Sequence, residues 1–211
     1  MKKTNIIIIL IILTSFIIGI YFYFQFPEQV ASHWNSRGEV DGYISKFWGA
    51  FLMPIISVGL WILFLVIPKI DPLKKNIENF RKYFDAFIVL MILFLFYIYI
   101  LTIIWNTGTM FDMGRAMVPA MGILLYYAGI LIKHAERNWF VGIRTPWTLS
   151  SEWVWKKTHK LGGRLFKLAG IIAILGIFFP DIAMWFVLVP VIFVSFYIII
   201  YSYFAYQKEK K

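Results

Sequence analysis

The pattern of hydrophobic positions divides the chain into six long apolar segments separated by shorter polar ones. The segments lie at about residues 5–24, 47–67, 85–105, 116–132, 165–180 and 184–204. Most of them approach the roughly 20 residues that a helix needs to cross a bilayer. Helices satisfy their own backbone hydrogen bonds in lipid, whereas barrel strands would give short alternating segments. The pattern therefore predicts an all-α polytopic membrane bundle of six transmembrane helices.

The first apolar segment follows Lys2 and Lys3 and has some features of a secretory signal. Its apolar stretch from Ile6 to Phe24 is longer than the roughly 7–15 residues of a signal core. The nearest small residues, Ala31 and Ser32, lie too far beyond it for a convincing cleavage site. We therefore interpret the segment as a retained helix.

The distribution of charge orients the six predicted helices. The chain carries 21 Lys and Arg residues and 11 Asp and Glu residues, which gives a formal net charge of +10. With the N-terminus inside, all basic residues except Arg37, Lys46 and Arg115 fall in the inner segments. This is the positive-inside pattern, and it predicts that both termini are cytoplasmic. It also explains the positive charge without direct binding of nucleic acid, which clustered Lys and Arg residues can otherwise indicate.

The composition of the chain disfavours several classes of function. The sequence has no cysteine, which excludes disulfides, thiolate nucleophiles and Cys-ligated metal sites. The centres of the apolar segments hold no charged residue or histidine, although ion-coupled transport normally needs such groups at depth. Intramembrane proteolysis would need paired carboxylates or an HExxH motif. We expect neither activity, no catalytic residue, no cofactor and no metal.

The loop at residues 27–46 joins the first two helices on the predicted outer side. Its Asp41-Gly42 dipeptide predicts a turn. One interpretation makes His33, Glu39 and Asp41 a metal site or an acid–base pair, although their spacing matches no metal motif. The other makes the loop a compact cap on the bundle, with its tryptophan in the interfacial aromatic belt. The weaker binding candidates of this loop are His33, Trp34, Asn35, Gly38, Asp41 and Gly42.

A tryptophan-rich strip at residues 138–164, NWFVGIRTPWTLSSEWVWKKTHKLGGR, interrupts the apolar pattern before the fifth segment. By the same topology it is cytoplasmic. Gly142 and Pro146 predict an irregular first half, because the residue before a proline is biased towards extended structure. Ser150 or Ser151 can cap a helix that follows.

The second half of the strip has the periodicity of an amphipathic helix. Its apolar face is Val154, Thr158, Leu161 and Leu165, and its basic face is Lys156, Lys160, Arg164 and Lys167. Such a helix can lie on a bilayer with an anionic inner leaflet. The Gly162-Gly163 pair then predicts a hinge where the helix turns into the fifth span.

The residues of the strip leave three roles open: catalysis, membrane anchoring and docking of a partner. His159 is the candidate base for catalysis, but no carboxylate is placed by sequence to orient it, as a general base requires. Trp and Arg dominate binding hot spots, yet Trp also anchors proteins at membrane interfaces. Composition alone does not separate anchoring from docking.

Two segments of the chain resemble a known family. The stretch NWFVGIRTPWTLSSEWVWKKTHKLGGRLF resembles the signature of the SdpI-type immunity proteins of Gram-positive bacteria. The outer loop, PEQVASHWN followed by GEVDGYISK, resembles a domain of unknown function that commonly precedes that signature. The signature falls on Asn138, Trp139, Gly142, Arg144, Thr145, Pro146, Trp147, Trp155, His159, Gly162 and Arg164.

The resemblance implies a multi-pass protein of the plasma membrane that protects its cell against a secreted antibacterial peptide toxin. In the best-known member it also implies signalling, in which a cytoplasmic ArsR-like autorepressor is held at the membrane. The alternative is a membrane enzyme or exporter that acts on a peptide or lipid. We divide the chain into an N-terminal helix pair (1–67), a second pair (68–132) and the signature with the last pair (133–211).

Overall fold

Six long helices make up most of the protein in a computed structural model that describes residues 3–35 and 38–210. The helices in chain order are α1 (Lys3–Tyr23), α2 (Lys46–Ile70), α3 (Lys74–Asn79), α4 (Arg81–Asn106), α5 (Met113–His134), α6 (Pro146–Ser150), α7 (Glu152–Leu175) and α8 (Trp185–Glu209). All except α3 and α6 are long and apolar enough to cross a membrane. The predicted all-α bundle of six membrane helices is therefore confirmed.

The bundle has two ends, which we name by what they carry. The termini end holds the start of α1 and the end of α8, and the hairpin end holds the connection between α1 and α2. Lys2, Arg37 and Lys211, which contribute to the predicted charge asymmetry, lie outside the described residues. The cytoplasmic location of the termini stays a prediction from the charge asymmetry as a whole.

The long helices pack in two groups of three. Helices α1, α2 and α4 contact one another, α5, α7 and α8 form the second group, and α4 packs against α5 to join them. The largest buried cluster lies at the termini end and brings together side chains of both groups, among them Ile8, Phe84 and Trp155. Phe140, Val141 and Leu149, which follow α5, pack against this cluster.

The loop between α1 and α2 is a two-stranded antiparallel hairpin of β1 (Gln29–Trp34) and β2 (Val40–Ser45). The sequence predicts only a compact loop here, so the strands are an addition to the all-α prediction. Val30 and Ala31 are fully buried, and Val30 packs so closely on Gly49 of α2 that a Cβ there would lie 2.7 Å from its side chain. The hairpin is thus seated on the helix that follows it.

Asn106, at the end of α4, fixes the hairpin through a reciprocal pair of hydrogen bonds. Its Oδ1 accepts from the Ala31 amide at 2.8 Å, and its Nδ2 donates to the Ala31 carbonyl at 3.0 Å. Because Ala31 is buried, both backbone groups would otherwise lack a partner, and each such loss costs about 1–3 kcal/mol.

Replacing Asn106 with leucine is expected to loosen the hairpin and to lower stability by about 2–4 kcal/mol, since two buried backbone groups lose their partners. Proteolysis of the purified protein at Lys46, just after the hairpin, checks this and should accelerate. The control is Thr107→Val, because the Thr107 hydroxyl bonds only carbonyls of its own helix, at 3.0 and 3.1 Å. Equal cleavage of the two variants would contradict the assignment.

Helices α5 and α7 are held together by a seam of four glycines. Gly129 of α5 faces Gly163 of α7, and Gly122 of α5 faces Gly170 of α7. The two pairs are seven residues apart on each helix, and the helices are antiparallel. A Cβ on any of the four would lie 2.6–2.7 Å from an atom of the opposite helix. Small residues of this kind let membrane helices approach until their backbones touch.

The predicted hinge at Gly162-Gly163 is wrong, because α7 runs without a break from Glu152 to Leu175. Both glycines are buried contact positions: Gly163 belongs to the seam, and Gly162 receives the side chain of Ile143. The basic, amphipathic part of the strip is therefore not a separate helix. Its first half packs against neighbouring elements, and it continues directly into the fifth span.

The face that α7 buries is also shifted from the predicted one. Val154 and Thr158 are fully buried as expected, but Leu161 and Leu165 are only half-buried. Trp155 and His159 take their place in the buried face, each only 1% exposed. The basic residues Lys156, Lys160 and Arg164 are exposed, and Lys167 is half-buried.

Candidate functional site

The residues between α5 and α6 form a re-entrant loop, which we define as residues 135–145. Ser151 marks the termini end, because its hydroxyl donates to Glu209 Oε1 at 2.7 Å. Ile143, in contrast, lies beside His159, which is seven residues, or about 10 Å, beyond Glu152, the first residue of α7. The chain leaves α5 at about the level of Trp155 and His159, passes between α7 and α8 at that level, and then runs out to the start of α7 through α6.

Asn138 folds the first turn of the re-entrant loop onto itself. It is fully buried, and its Nδ2 donates to the carbonyls of Glu136 and Val141, both at 2.8 Å. Its Oδ1 accepts from the amides of Phe140 and Val141 at 2.9 and 2.6 Å. Asparagine offers two donors and an acceptor with two lone pairs, so the side chain is fully used.

Asp71, just after α2, ties the loop to the first helix group. Its Oδ2 accepts from the Trp139 amide at 2.9 Å, and its Oδ1 accepts from the Leu73 amide at 2.6 Å. The carboxylate is 2% exposed. Asn76 of α3 adds a second tie, since its Nδ2 donates to the Arg137 carbonyl at 2.7 Å. Sequence reasoning missed both residues, because each is more than 60 positions from its partner.

His159 and Trp155 form the buried wall against which the loop turns. The Ile143 amide donates to His159 Nε2 at 3.0 Å, so Nε2 is unprotonated. The proton therefore sits on Nδ1, which donates to the Trp155 carbonyl at 2.9 Å. The Trp155 ring stacks on the imidazole at 3.9 Å, and its Nε1 donates to the Ala135 carbonyl at 2.7 Å. With both nitrogens engaged, His159 is a neutral structural residue and is not placed to act as a general base.

Gly142 is required where the loop passes His159. Its φ of +116° is a conformation that L-residues rarely adopt. A Cβ at this position would also lie 2.5 Å from His159 Nε2. The glycine that the signature contributes here thus has both a conformational and a steric cause.

The return of the loop is closed by a capping box at the start of α6. Thr145 Oγ1 accepts from the Thr148 amide at 3.2 Å, and Thr148 Oγ1 accepts from the Thr145 amide at 2.9 Å. Thr145 also contacts Ser202 of α8, with 3.0 Å between the hydroxyl oxygens. Pro146 occupies the first helical position, which suits a residue without an N–H. Thr148 and Ser202 were missed, although the T-P-x-T pattern is a visible signal for the first.

The signature residues thus separate into a buried framework and an exposed set. The framework consists of Asn138, Thr145, Trp155, His159 and Gly162, with Gly142 at the turn. The exposed set consists of Trp139, Arg144, Pro146 and Arg164, with Trp147 half-buried against the ring of Tyr203. Binding roles for this surface rest on the exposed set, since the framework is already occupied by internal contacts.

Replacing Asn138 with aspartate is expected to destabilise the loop by about 2–4 kcal/mol, because a buried carboxylate would face two carbonyl oxygens. Trypsin cleavage after Arg137 and Arg144 should accelerate, and the thermal midpoint in detergent should fall. Asn79→Asp is the control, because Asn79 is exposed and its one side-chain bond is to Glu136 Oε2, at 2.7 Å. A variant that resists trypsin like the parent protein would rule out this role for Asn138.

At the hairpin end, a cavity of about 460 Å³ opens beneath the β-hairpin, between α2, α4, α5 and α8. We call it the outer cavity. Four methionines dominate its lining, Met53, Met113, Met117 and Met184. Of the outer-loop candidates, His33, Trp34 and Asn35 line it, whereas Gly38, Asp41 and Gly42 are not among its lining residues.

The polar groups at the rim of the outer cavity are arranged in pairs. His33 Nδ1 contacts Asp41 Oδ1 across the hairpin, and Asn35 Nδ2 donates to Glu39 Oε2 at 2.8 Å. Glu39 therefore does not join His33 and Asp41, and no group of three metal-ligating side chains converges in the described part of the chain. The Trp34 Nε1 is buried and has no hydrogen-bond partner among the described residues.

These features define a polytopic membrane protein with a folded re-entrant loop at one end and an apolar, hairpin-capped cavity at the other. Residues 134–202 match the SdpI/YfhL protein family, and residues 10–58 match a domain of unknown function (DUF1648). The chain is thus similar to the SdpI family over residues 134–202. It is 28% identical over 210 residues to a protein named "Immunity protein SdpI" from Bacillus subtilis (strain 168), covering 99% of this chain and 97% of that protein. No solved structure matches the chain.

Proposed function

We propose that this protein is a membrane immunity protein that protects its own cell, a Gram-positive bacterium, against a secreted antibacterial peptide. The observation that carries the proposal is the similarity to an immunity protein over 99% of the chain. That similarity includes the hairpin and the re-entrant loop, which lie at opposite ends of the bundle. A shared function that needs both ends is therefore supported better than one that needs a single domain.

Protection by binding suits this bundle better than protection by transport or chemistry. The deep polar side chains Ser15, Ser57 and Ser195 each donate to a carbonyl of their own helix, at 2.7–2.8 Å. Such bonds leave no relay for ions or protons across the bilayer. The framework histidine, His159, is occupied by backbone groups. We therefore assign a non-enzymatic role, in agreement with the family.

The outer cavity is the site that we assign to the peptide. A secreted peptide that attacks membranes reaches the outer surface first, and the predicted topology places the hairpin end outside. Methionine side chains are flexible and polarisable, so a methionine-rich wall can adapt to apolar peptide side chains. The Trp34 Nε1, which has no partner within the described part of the chain, adds a donor that a peptide carbonyl can satisfy.

The experiment expresses the protein in a strain that is killed by culture supernatant of the parent bacterium, and counts survivors at confirmed membrane expression. We expect protection by the parent protein and its loss in Met117→Trp, which fills the outer cavity. Ile123→Trp is the matched control, because Ile123 lies on the same helix and is 52% exposed, outside the cavity. Unchanged killing with the parent protein would refute immunity, and full protection by Met117→Trp would refute the cavity assignment alone.

A second role, capture of a cytoplasmic ArsR-like autorepressor, has support in the exposed residues at the start of α7. Trp153 is 41% exposed, and Lys157 Nζ lies 5.4 Å from the centre of its ring. Exposed Trp beside cationic side chains is typical of binding hot spots. The test follows a fluorescent fusion of a repressor encoded beside the gene: Trp153→Ser should release it from the membrane while protection persists. Retention of the fusion by Trp153→Ser would contradict docking at this surface.

A further inference from the structure

A second apolar cavity, of about 440 Å³, lies at the surface of the bundle between the re-entrant loop, α7 and α8. We call it the Arg144 groove. Its walls are formed by Phe166 of α7 and by Ile198 and Ile199 of α8, and Arg144 with Trp147 lies along its edge. No internal segment of the described chain fills it.

The position of Arg144 along the bundle can be read from helix α8. Its neighbour Thr145 contacts Ser202, which lies seven residues, or about 10 Å, before Glu209 along α8. Helix α8 has 25 residues, about 37 Å, whereas the hydrocarbon core is roughly 30 Å thick. A depth of 10 Å therefore places Arg144 near the boundary between lipid headgroups and acyl chains.

The guanidinium of Arg144 is held in place but not neutralised. Its Nη1 donates to the Trp139 carbonyl at 2.7 Å, which orients the group and leaves further N–H donors available. Among the described residues it makes no ion pair with a carboxylate. At the headgroup boundary such a group can meet an anionic lipid head as well as water, so the open donors beside the groove suit an anionic acceptor.

The walls of the groove decide which kind of anion fits. Both hydroxyl residues of the lining already have partners, since Ser195 donates to the Val191 carbonyl at 2.7 Å and the Thr145 hydroxyl lies 3.0 Å from that of Ser202. The deep part of the groove therefore leaves no hydroxyl group without a hydrogen-bond partner. The half-buried Trp147 ring packs on Tyr203, with 5.2 Å between ring centres, and forms an aromatic side to the mouth. A cationic mouth over an apolar trough is complementary to a molecule with an anionic head and a hydrocarbon tail.

We propose that the Arg144 groove binds one anionic phospholipid, with the phosphate against the Arg144 guanidinium and one acyl chain along Phe166, Ile198 and Ile199. A zwitterionic lipid carries its own ammonium group beside the phosphate, which competes with the guanidinium. The groove therefore favours a headgroup of net negative charge. This site is separate from the outer cavity and does not depend on the immunity function.

The experiment uses full-length protein purified in detergent, incubated with equal amounts of palmitoyl-oleoyl phosphatidylglycerol and phosphatidylcholine, and analysed by native mass spectrometry. We expect one phosphatidylglycerol per protein to be retained in preference to phosphatidylcholine. Arg144→Gln should reduce that preference about fivefold, the factor for one basic residue near an anionic surface. Arg164→Gln is the control, because Arg164 is also exposed and lies on the adjacent helix.

A second variant tests the trough without changing any charge. Ile199→Trp adds bulk at a position that is 46% exposed, and it should lower retention of both lipids while Arg144 stays in place. If Arg144→Gln does not fold, this variant decides the question. Equal losses in Arg164→Gln and Arg144→Gln, unchanged retention in Ile199→Trp, or displacement of the lipid by millimolar glycerol phosphate would each overturn the proposal.

Discussion

Replacing Gly170 with alanine is expected to lower the thermal midpoint of the purified protein by about 2–12 °C. The added Cβ would lie 2.6 Å from the Gly122 carbonyl oxygen and 2.6 Å from the Tyr126 amide nitrogen of α5. Neither backbone atom can move without displacing the whole helix, so α5 and α7 must separate. Overpacking of this kind costs about 1–3 kcal/mol, and for a chain of this length each kcal/mol shifts the midpoint by about 2–4 °C.

Gly59→Ala is the matched control for the seam, because Gly59 is also a helical glycine in a membrane helix. Apart from its chain neighbours and the backbone of its own helix, a Cβ added at Gly59 would have no heavy atom within 4 Å, and alanine is favoured over glycine in helices by about 1 kcal/mol. The two substitutions make the same chemical change, and we expect opposite signs in the thermal midpoint. A Gly170→Ala protein as stable as Gly59→Ala would show that α5 and α7 do not touch at this seam.

The membrane fold was predictable because the thickness of the bilayer sets the length of an apolar segment. The prediction failed where a helix extends beyond its apolar part. Helix α7 begins at Glu152, directly after the predicted Ser151 cap, and continues without a hinge into the span that was predicted to start near residue 165; its first turns bury Thr158 and His159. Those polar residues broke the hydrophobic pattern, although the Ile143 amide of the re-entrant loop and the Trp155 carbonyl of α7 together satisfy the ring of His159.

The glycines of α7 show how a correct observation can receive the wrong interpretation. The Gly162-Gly163 pair predicts a hinge only if the flexibility of glycine is the reason for its presence. The informative signal is instead the heptad spacing of Gly163 and Gly170, matched by Gly122 and Gly129 on α5. Small residues repeated along one helix face indicate a helix contact, whereas two neighbouring glycines do not by themselves indicate a hinge.

The candidate site was predictable only in its local parts. The Asn138 turn and the Thr145 capping box involve residues at most five positions apart, and side-chain-to-backbone bonds of this kind follow from the residue type. The tie between Asp71 and Trp139 spans 68 positions. Nothing in one sequence connects them, because an Asp after a helix has many possible partners. The Arg144 groove is hidden for the same reason, since its walls come from three separate segments.

Replacing Gly142 with alanine is expected to cost about 2–5 kcal/mol, through backbone strain at positive φ and overpacking. Gly108→Ala separates the two causes, because Gly108 has a similar φ of +107° but no heavy atom near its Cβ position. The excess loss of stability in Gly142→Ala over Gly108→Ala measures the contact with His159. A double-mutant cycle with His159→Ala then tests whether His159 makes this contact. Removing the imidazole makes room for the methyl group, so the combined loss of stability should be smaller than the sum of the single losses. Strict additivity would mean that the loop does not pass His159 as described.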